Sequence, residues 1–418
     1  MKRFIFFILI TLITFSGFSQ EKITGMGGLD ARFWTQDNNQ TLRVYVQLYK
    51  GSILKGISTP EAFQNRFKAY YKVKEDLSEN PNWVVNGAEI IWKNYPMNID
   101  ENNICWYFEV AMSQTSPTGI LVLDLIDNEN SQKHQIVTKI AFTKTKIRED
   151  FALFKENKVF PVLNGIILEG ENFVVQSLSK KTIDIYVTRI KQDYGAAQTP
   201  MNLSQPPQNK TLKVDSVFKV RTNELIKLQT KGLYIIRQDT NAFYGIGLRV
   251  ESKNYPKYNL KEQLLSPIAY ISQKSEMQKI ETTSDLKQGI DRFWLTILKG
   301  DTEKAKEVIK NYYQRIRIAN IRYASFKEGW KTDMGMIYTI FGEPDEITFE
   351  KDSQRWVYRG NDSRNSAGDK GKNFTKITFT FLRRPNQFFD DYYVLVRYIE
   401  YEPVWTSMVE AIRRGIAF

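Results

Sequence analysis

The sequence predicts a multidomain protein. Two mainly β domains of immunoglobulin-like sandwich type come first, and an α+β domain with a helix hairpin and an antiparallel sheet follows. Three observations predict this. Through most of residues 25–280, apolar residues alternate in short runs at a spacing of two, with turn residues between them. Over 283–323 the spacing changes to three and four. After a Gly-Glu-Pro-Asp turn at 342–345 the short alternating runs return.

The chain opens with Lys2 and Arg3, an apolar run over 4–15, and the small residues Gly17 and Ser19. That order is a secretory signal peptide cut before Gln20 or Glu21, so residues 1–19 are expected to be removed. The run is too short to span a bilayer and no second one follows, so no transmembrane segment is expected after cleavage. No Cys follows the run to be acylated. The expected product is exported, periplasmic or secreted, soluble and not lipidated.

Cleavage takes away two cations and no acid, which lowers the formal net charge from +12 to +10. A basic surface of that size favours weak association with anionic surfaces, but Lys and Arg are scattered and form no dedicated patch. Cys105 is the only cysteine, so no intrachain disulfide forms, and its Ile-Cys-Trp-Tyr-Phe setting reads as a strand with an inert thiol. His134 is the only histidine and is expected in a polar turn (Asn128 to Lys133) between two strand patterns. One histidine argues against Ser-His-Asp chemistry and multi-histidine zinc sites; carboxylate chemistry stays open.

The first domain, 25–145, holds strands at 42–49, 67–73, 104–110, 120–126 and 135–142. In the first of these Leu42, Val44, Val46 and Leu48 face one way. The last two strands are joined by a hairpin connector at 127–131. The second domain, 146–280, reads as mainly β, with strands near 165–168, 173–176, 182–188, 212–220, 232–237 and 243–250. Its stretch 196–208, rich in Ala, Pro, Asn and Gln, reads as a mobile surface loop.

The third domain, 281–418, starts with a helix capped by Thr283 or Ser284 and striped by Ile290, Phe293, Trp294 and Ile297. Gly300 ends it and Asp301 caps a second, longer helix that runs past Tyr312, Tyr313 and Asn320. Next comes Gly329-Trp330-Lys331-Thr332-Asp333. Thr332 or Asp333 can cap a short helix whose apolar face is Met336, Ile337, Ile340 and Phe341. Gly342 takes the stop position and Pro344 forbids continuation. Strands follow at 346–349, 354–359, 373–382 and 391–399, and Pro403 opens a last helix. Trp356 and Tyr358 share one strand face.

GWKTD followed by IYTIFGEPDEI resembles the signature of GWxTD-domain proteins, a family of Bacteroidetes-type bacteria. The Asp291-Arg292-Phe293-Trp294 string, Tyr312-Tyr313-Gln314-Arg315-Ile316 and Ala319-Asn320 are similar to the family's pattern ahead of it. The resemblance brings no activity with it. A weaker one, through Gly342-Glu343-Pro344-Asp345 and Trp356-Val357-Tyr358, is to the SmpA/OmlA type of outer-membrane assembly module, and it implies a protein-binding part.

Residues Gly329, Trp330, Thr332, Asp333, Gly342, Pro344, Asp345, Trp356, Tyr358, Arg315 and Asn320 are the expected motif positions, structural or interacting. Asp333 and Asp345 stand at opposite ends of a short helix, too far apart for one small site. Asp345 is expected to brace its own turn, and Arg315 or Asn320 to meet the Thr332-Asp333 turn. An oxygen-rich loop at 361–369 lacks the Gly and distal Glu of an EF-hand. No nucleotide fingerprint stands in a strand-to-helix context, and export argues against a nucleic-acid partner. No catalytic residue, cofactor or metal ligand is assigned. The leading expectation is a non-catalytic exported cell-envelope protein, a protein-binding or scaffold module whose partner is another envelope protein. The alternative is a carboxylate-dependent envelope hydrolase or glycan-acting enzyme centred on 281–418.

Overall fold

The fold is that of a computed structural model describing residues 23–26, 29–51, 53–78, 81–143, 146–156, 158–191, 194–204, 211–360 and 374–417. The expected signal peptide, the 361–369 loop and residues 205–208 lie outside the described residues. Several antiparallel sheets dominate, with eight α-helices among the described residues. None of these helices is long and apolar enough to cross a membrane.

Strand β1 (Ile23–Met26) leaves its sequence neighbours and pairs near the far end of the chain, with Ile23 opposite Phe349 and Met26 opposite Glu346. Then come β2 (Asp30–Asp37), β3 (Thr41–Tyr49), α1 (Pro60–Arg66), β4 (Phe67–Lys74), β5 (Trp83–Glu89), β6 (Met97–Ile99), β7 (Asn103–Ala111), β8 (Thr118–Asp127) and β9 (Lys133–Ala141). They build two four-stranded antiparallel sheets, β2-β3-β7-β6 and β5-β4-β8-β9. Leu42, Val44, Val46 and Leu48 do share a buried face, and they meet Phe67, Trp106, Phe108 and Leu123 in one core. His134 is not in a turn. The β8–β9 ladder runs further than expected and sets His134 opposite Leu125, buried against the Phe67 ring. Cys105 lies in β7, where burial pushes its thiol up to about 12.

The middle of the chain gives α2 (Ile147–Asp150), β10 (Ala152–Lys155), β11 (Ile166–Leu168), β12 (Asn172–Gln176), β13 (Asp184–Ile190), β14 (Val214–Arg221), β15 (Ile226–Lys227), β16 (Gly232–Arg237) and β17 (Ile246–Glu251). A five-stranded sheet, β11-β17-β16-β13-β14, shares a core of Ile185, Val187, Ile236 and Leu248 with Phe173 and Val175 of a three-stranded one, β10-β12-β15. After β17 the chain turns helical: α3 (Lys261–Leu265) and α4 (Lys274–Glu281) stand where a mainly β segment was expected.

Helix α5 (Leu286–Ile297) is capped by Asp285, not by Thr283 or Ser284. Thr282 and Thr283 are already used, since their hydroxyls donate back to carbonyls of α4. Asp301 caps α6 (Thr302–Arg322) as expected. Next are α7 (Asp333–Phe341), β18 (Glu346–Phe349), β19 (Ser353–Arg359), β20 (Lys376–Arg383), β21 (Tyr393–Leu395) and α8 (Glu402–Arg413). The sheet order is β1-β18-β19-β20-β21. The strand expected over 391–399 is short because the chain leaves the sheet after Leu395 to meet α7 and residue 200. Helix α7 buries all nine of its residues, not only the expected face, which is the behaviour of a helix apolar on every side.

Candidate functional site

The GWKTD stretch makes the corner between α6 and α7. Gly329 is required by space: a Cβ there would stand 1.9 Å from the Ala319 carbonyl oxygen, in α6 backbone. Gly335 repeats the arrangement one step on, where a Cβ would stand 1.8 Å from the Gly329 carbonyl oxygen. Two glycines thus let three backbone segments stack without side chains between them.

Trp330 fills the corner and is 2% exposed. Its backbone N–H donates to Asn320 Oδ1 at 3.2 Å, its indole N–H to the Tyr258 hydroxyl at 2.8 Å, and its carbonyl accepts from the Tyr270 hydroxyl at 3.1 Å. The Tyr270 ring meets the indole edge-on at 5.6 Å. Burial pushes the Tyr258 and Tyr270 hydroxyls well above their ordinary range, so both stay neutral. Asn320 was expected at the Thr332-Asp333 turn; its side chain instead accepts from the Trp330 N–H and donates to the Pro256 carbonyl.

Thr332 is the cap. Its extended backbone lets Oγ1 accept from the Gly335 N–H at 3.0 Å while donating to the Gly329 carbonyl at 2.7 Å. Asp333, as the first helical residue, is free for something else. Its carboxylate takes the Arg397 guanidinium at 2.5 and 3.3 Å and the Leu395 backbone N–H at 2.9 Å. This two-point ion pair ties α7 to the end of β21. Such a lock was expected from Arg315, and the structure assigns it to Arg397. Arg315 serves the other end of α7, donating to the Thr339 and Ile340 carbonyls at 3.3 and 2.7 Å and to Ala417 at 3.3 Å. The Thr339 and Ile340 carbonyls are ones that a helix end leaves open.

Gly342 stops α7 at φ 80° and ψ −152°, a conformation almost reserved for glycine. Pro344 follows. Asp345 does not brace its own turn. Its Oδ2 accepts from the Arg359 N–H at 2.6 Å and its N–H bonds the Val357 carbonyl, which clasps the turn to β19. Trp356 and Tyr358 are fully buried, with Trp356 against Phe381 and Tyr323, and the Tyr358 hydroxyl donating to the Gly342 carbonyl at 3.0 Å.

The stretch from 196, expected as a mobile loop, is a strap over this corner. The Ala197 N–H bonds the Lys331 carbonyl, Arg397 donates to the Gln198 carbonyl at 3.1 Å, and the Tyr398 N–H bonds the Pro200 carbonyl. Lys327 sits beneath, donating to the Gly195 carbonyl, and burial pushes its amine down to about 8. Burial raises the neighbouring Glu328, but Arg249 and Lys331 more than offset this and leave its carboxyl lowered. The strap's backbone carries its hydrogen bonds to the corner, while Ala197 and Met201 pack against the main core.

The acids of this region do not converge. Asp333 goes to Arg397, Glu343 to Arg322 at 3.4 Å and Asp345 to the Arg359 backbone. Among the described residues, no three His, Cys, Asp or Glu side chains gather as a metal site would require. A cleft of about 340 Å³ lies between β2, β9, α2 and residues 383–391, and none of the expected motif residues lines it. Its acids are held too, Asp390 by Arg148 and Asp391 by Arg383 at 2.8 Å. Beside it Thr332 borders a cavity of about 50 Å³ shared with Asp30 and Tyr323. Burial pushes the Asp30 carboxyl up to about 6, against the pull of Arg322 and Arg32.

Sequence reasoning missed Arg397, Gly335, Tyr258 and Tyr270. Only Gly335 carried a readable signal, as a glycine inside a capped helix. Arg397 lies 64 residues from its partner, with no local pattern to mark it.

Residues 232–414 match the family described as GWxTD domain. No curated protein matches the sequence. A solved structure, of Dpr2 Ig1-Ig2 in complex with DIP-Theta Ig1-Ig3, is similar at 11% identity over 53% of this chain. The chain spans 66% of that one, just under two thirds, and the TM-score is 0.13, too low to carry an argument about fold.

Proposed function

We propose, from the premise that this chain carries a GWxTD domain over residues 232–414, that it is a non-catalytic exported protein of the cell envelope. In this reading two immunoglobulin-like β units present a C-terminal α+β unit with a helix hairpin, and together they scaffold or bind another envelope protein. The observation that carries the reading is the use of the signature's own chemistry. Asp333 is engaged by Arg397 and Leu395, Thr332 by the helix start, and Trp330 by Asn320, Tyr258 and Tyr270. A general acid or nucleophile needs an ionisable group facing substrate. The carboxylate-hydrolase alternative needs two acids across one cleft, and Asp333, Glu343 and Asp345 point to three separate partners.

Export rests on Lys2 and Arg3 ahead of the 4–15 apolar run, and on Gly17 and Ser19. The partner is a protein of the envelope, with weak anionic-surface association as an accessory.

The test is crosslinking in intact cells from a photoreactive residue placed at exposed Tyr398 or Ile399, followed by identification of the crosslinked protein, with N-terminal sequencing and fractionation of the mature chain. Recovery of one specific envelope protein, a mature chain starting at Gln20 or Glu21, and no lipid label are expected. Glycan or peptide hydrolysis by the purified chain would overturn the reading, as would a chain retained in the cytoplasm.

A further inference from the structure

The cleft between β2, β9, α2 and residues 383–391 lies where three parts of the chain meet, apart from the GWKTD corner. Strands β2 and β9 are end strands of the two N-terminal sheets. The volume of about 340 Å³ falls in the range of small-molecule sites, which favour such junctions. Phe33, Leu163, Pro385 and Phe389 give it apolar wall.

Its charged lining is unbalanced. Arg32, Lys139, Lys146, Arg148 and Arg383 stand against three carboxylates, Glu149, Asp390 and Asp391. Each carboxylate is already held. Glu149 accepts from the Lys146 backbone N–H at 2.9 Å, Asp390 from the Arg148 guanidinium and from Lys146 at 3.3 Å, and Asp391 from Arg383 at 2.8 Å. The cations are not all matched in return. Lys139 is exposed and, among the described residues, meets no carboxylate. Arg32 donates to the Arg322 and Ala324 carbonyls. The adjoining cavity adds one charge of each sign, Asp30 and Arg322, which leaves the excess as it is. Unmet hydrogen bonds point the same way. Two buried atoms of the lining lack a partner, Trp34 Nε1 and Arg148 Nε, and both can only donate. Arg148 is 4% exposed, and burial lowers its pKa further than Asp390 raises it. A second anion favours a cation placed in this way.

We propose that this cleft binds a small organic oxyanion, a carboxylate or phosphate carried on a short apolar body. The oxyanion supplies acceptors alone, which is what the donors of the lining lack, and its charge offsets the excess of cations. Its body lies against Phe33, Leu163, Pro385 and Phe389. A cationic ligand meets no free carboxylate here, and a neutral one leaves the excess in place. The site is independent of the envelope-protein reading. Its ligand joins the N-terminal β unit to residues 383–391.

Titration of the purified full chain with hexanoate, hexyl phosphate, hexylammonium and hexan-1-ol tests it. Binding is read by calorimetry and by the indole N–H resonance of Trp34, identified by its loss in Trp34→Phe. At least one of the two anions is expected to bind with a Kd of about 1 mM or tighter and to shift that resonance, and the tighter one identifies the head group. Hexylammonium and hexan-1-ol are expected to bind at least about tenfold more weakly. Lys139→Glu, on the exposed face of β9, should keep the wild-type melting temperature and weaken anion binding about tenfold, while Lys139→Arg keeps it. A Trp34 resonance that neither anion moves overturns the inference. So does hexylammonium or hexan-1-ol binding as tightly as the anions, or a Lys139→Glu chain with wild-type affinity.

Discussion

Helix α7 and strand β14 are both short and both rich in apolar residues, yet the fold uses them in opposite ways. All nine residues of α7 are buried, and its polar groups are matched inside the chain: Thr332 at its start, Asp333 at Arg397, its last carbonyls at Arg315. In β14 seven of eight residues are exposed and, among the described residues, one edge carries no neighbouring strand. The GWKTD signature thus falls on a part of the molecule that has little left to offer a partner. Exposed strand surface lies instead in a stretch with no signature at all. A motif that stands out in sequence marks here what the backbone needs in order to stack, namely two glycines, a cap and a remote arginine.

The strongest way to break that comparison is Gly329→Ala. The added Cβ meets the backbone oxygen of Ala319, which cannot move without opening α6. The expected cost exceeds the roughly 4–5 kcal/mol that marks an exceptional single substitution, read as loss of soluble expression or of the urea transition. Trp330→Ala comes next. It empties a site closed by Tyr258, Tyr270 and Asn320 and should cost about 3–5 kcal/mol, measured by urea unfolding of the full chain. An unchanged midpoint would remove Trp330 from the account of the corner.

A third test uses pH. The Asp30 carboxyl lies at about 6 in the folded chain against an ordinary value of 3.8, raised by burial. Between those values the folded protein keeps a proton that the unfolded chain has released, so stability is full below about pH 4 and declines as pH rises to about 6. The displacement corresponds to about 3 kcal/mol. Asp30→Asn should remove this slope, so the difference in unfolding free energy between variant and wild type should change over pH 4–6 and level off above it. A constant difference would mean Asp30 titrates normally. The smallest effect belongs to the other side of the comparison. Val217→Thr, on the exposed strand, should shift monomer stability by no more than about 0.5 kcal/mol.

These cases also explain what the sequence could and could not reveal. Period-two alternation located β3, β4, β7, β8 and β9, because one-sided burial writes itself into neighbouring residues. The Gly-x-Pro after α7 marked its end for a local reason as well. Contacts between distant segments left no such trace. Nothing near Asp333 points to Arg397, and nothing in Ile23–Met26 points to β18. Thr332 and Asp333 can both cap by residue type, and Asp ranks higher, yet Thr332 caps while Asp333 crosses to Arg397 and Leu395. The 196–204 strap looked like surface because Ala, Pro, Asn and Gln dominate its composition, while its hydrogen bonds to the corner run through Ala197, Gln198 and Pro200 backbone.

Asp333→Asn tests most directly whether the signature is structure or chemistry. An amide oxygen can still accept from the Leu395 N–H, but the ion pair is lost and Arg397 keeps its charge without a counter-ion. The account predicts a fall of about 2 kcal/mol in unfolding free energy for the full chain, with any functional loss in complementation following that loss of stability. A variant with a wild-type urea midpoint that nonetheless fails to complement would contradict it, because only a role for the ionised carboxylate outside the fold would then remain.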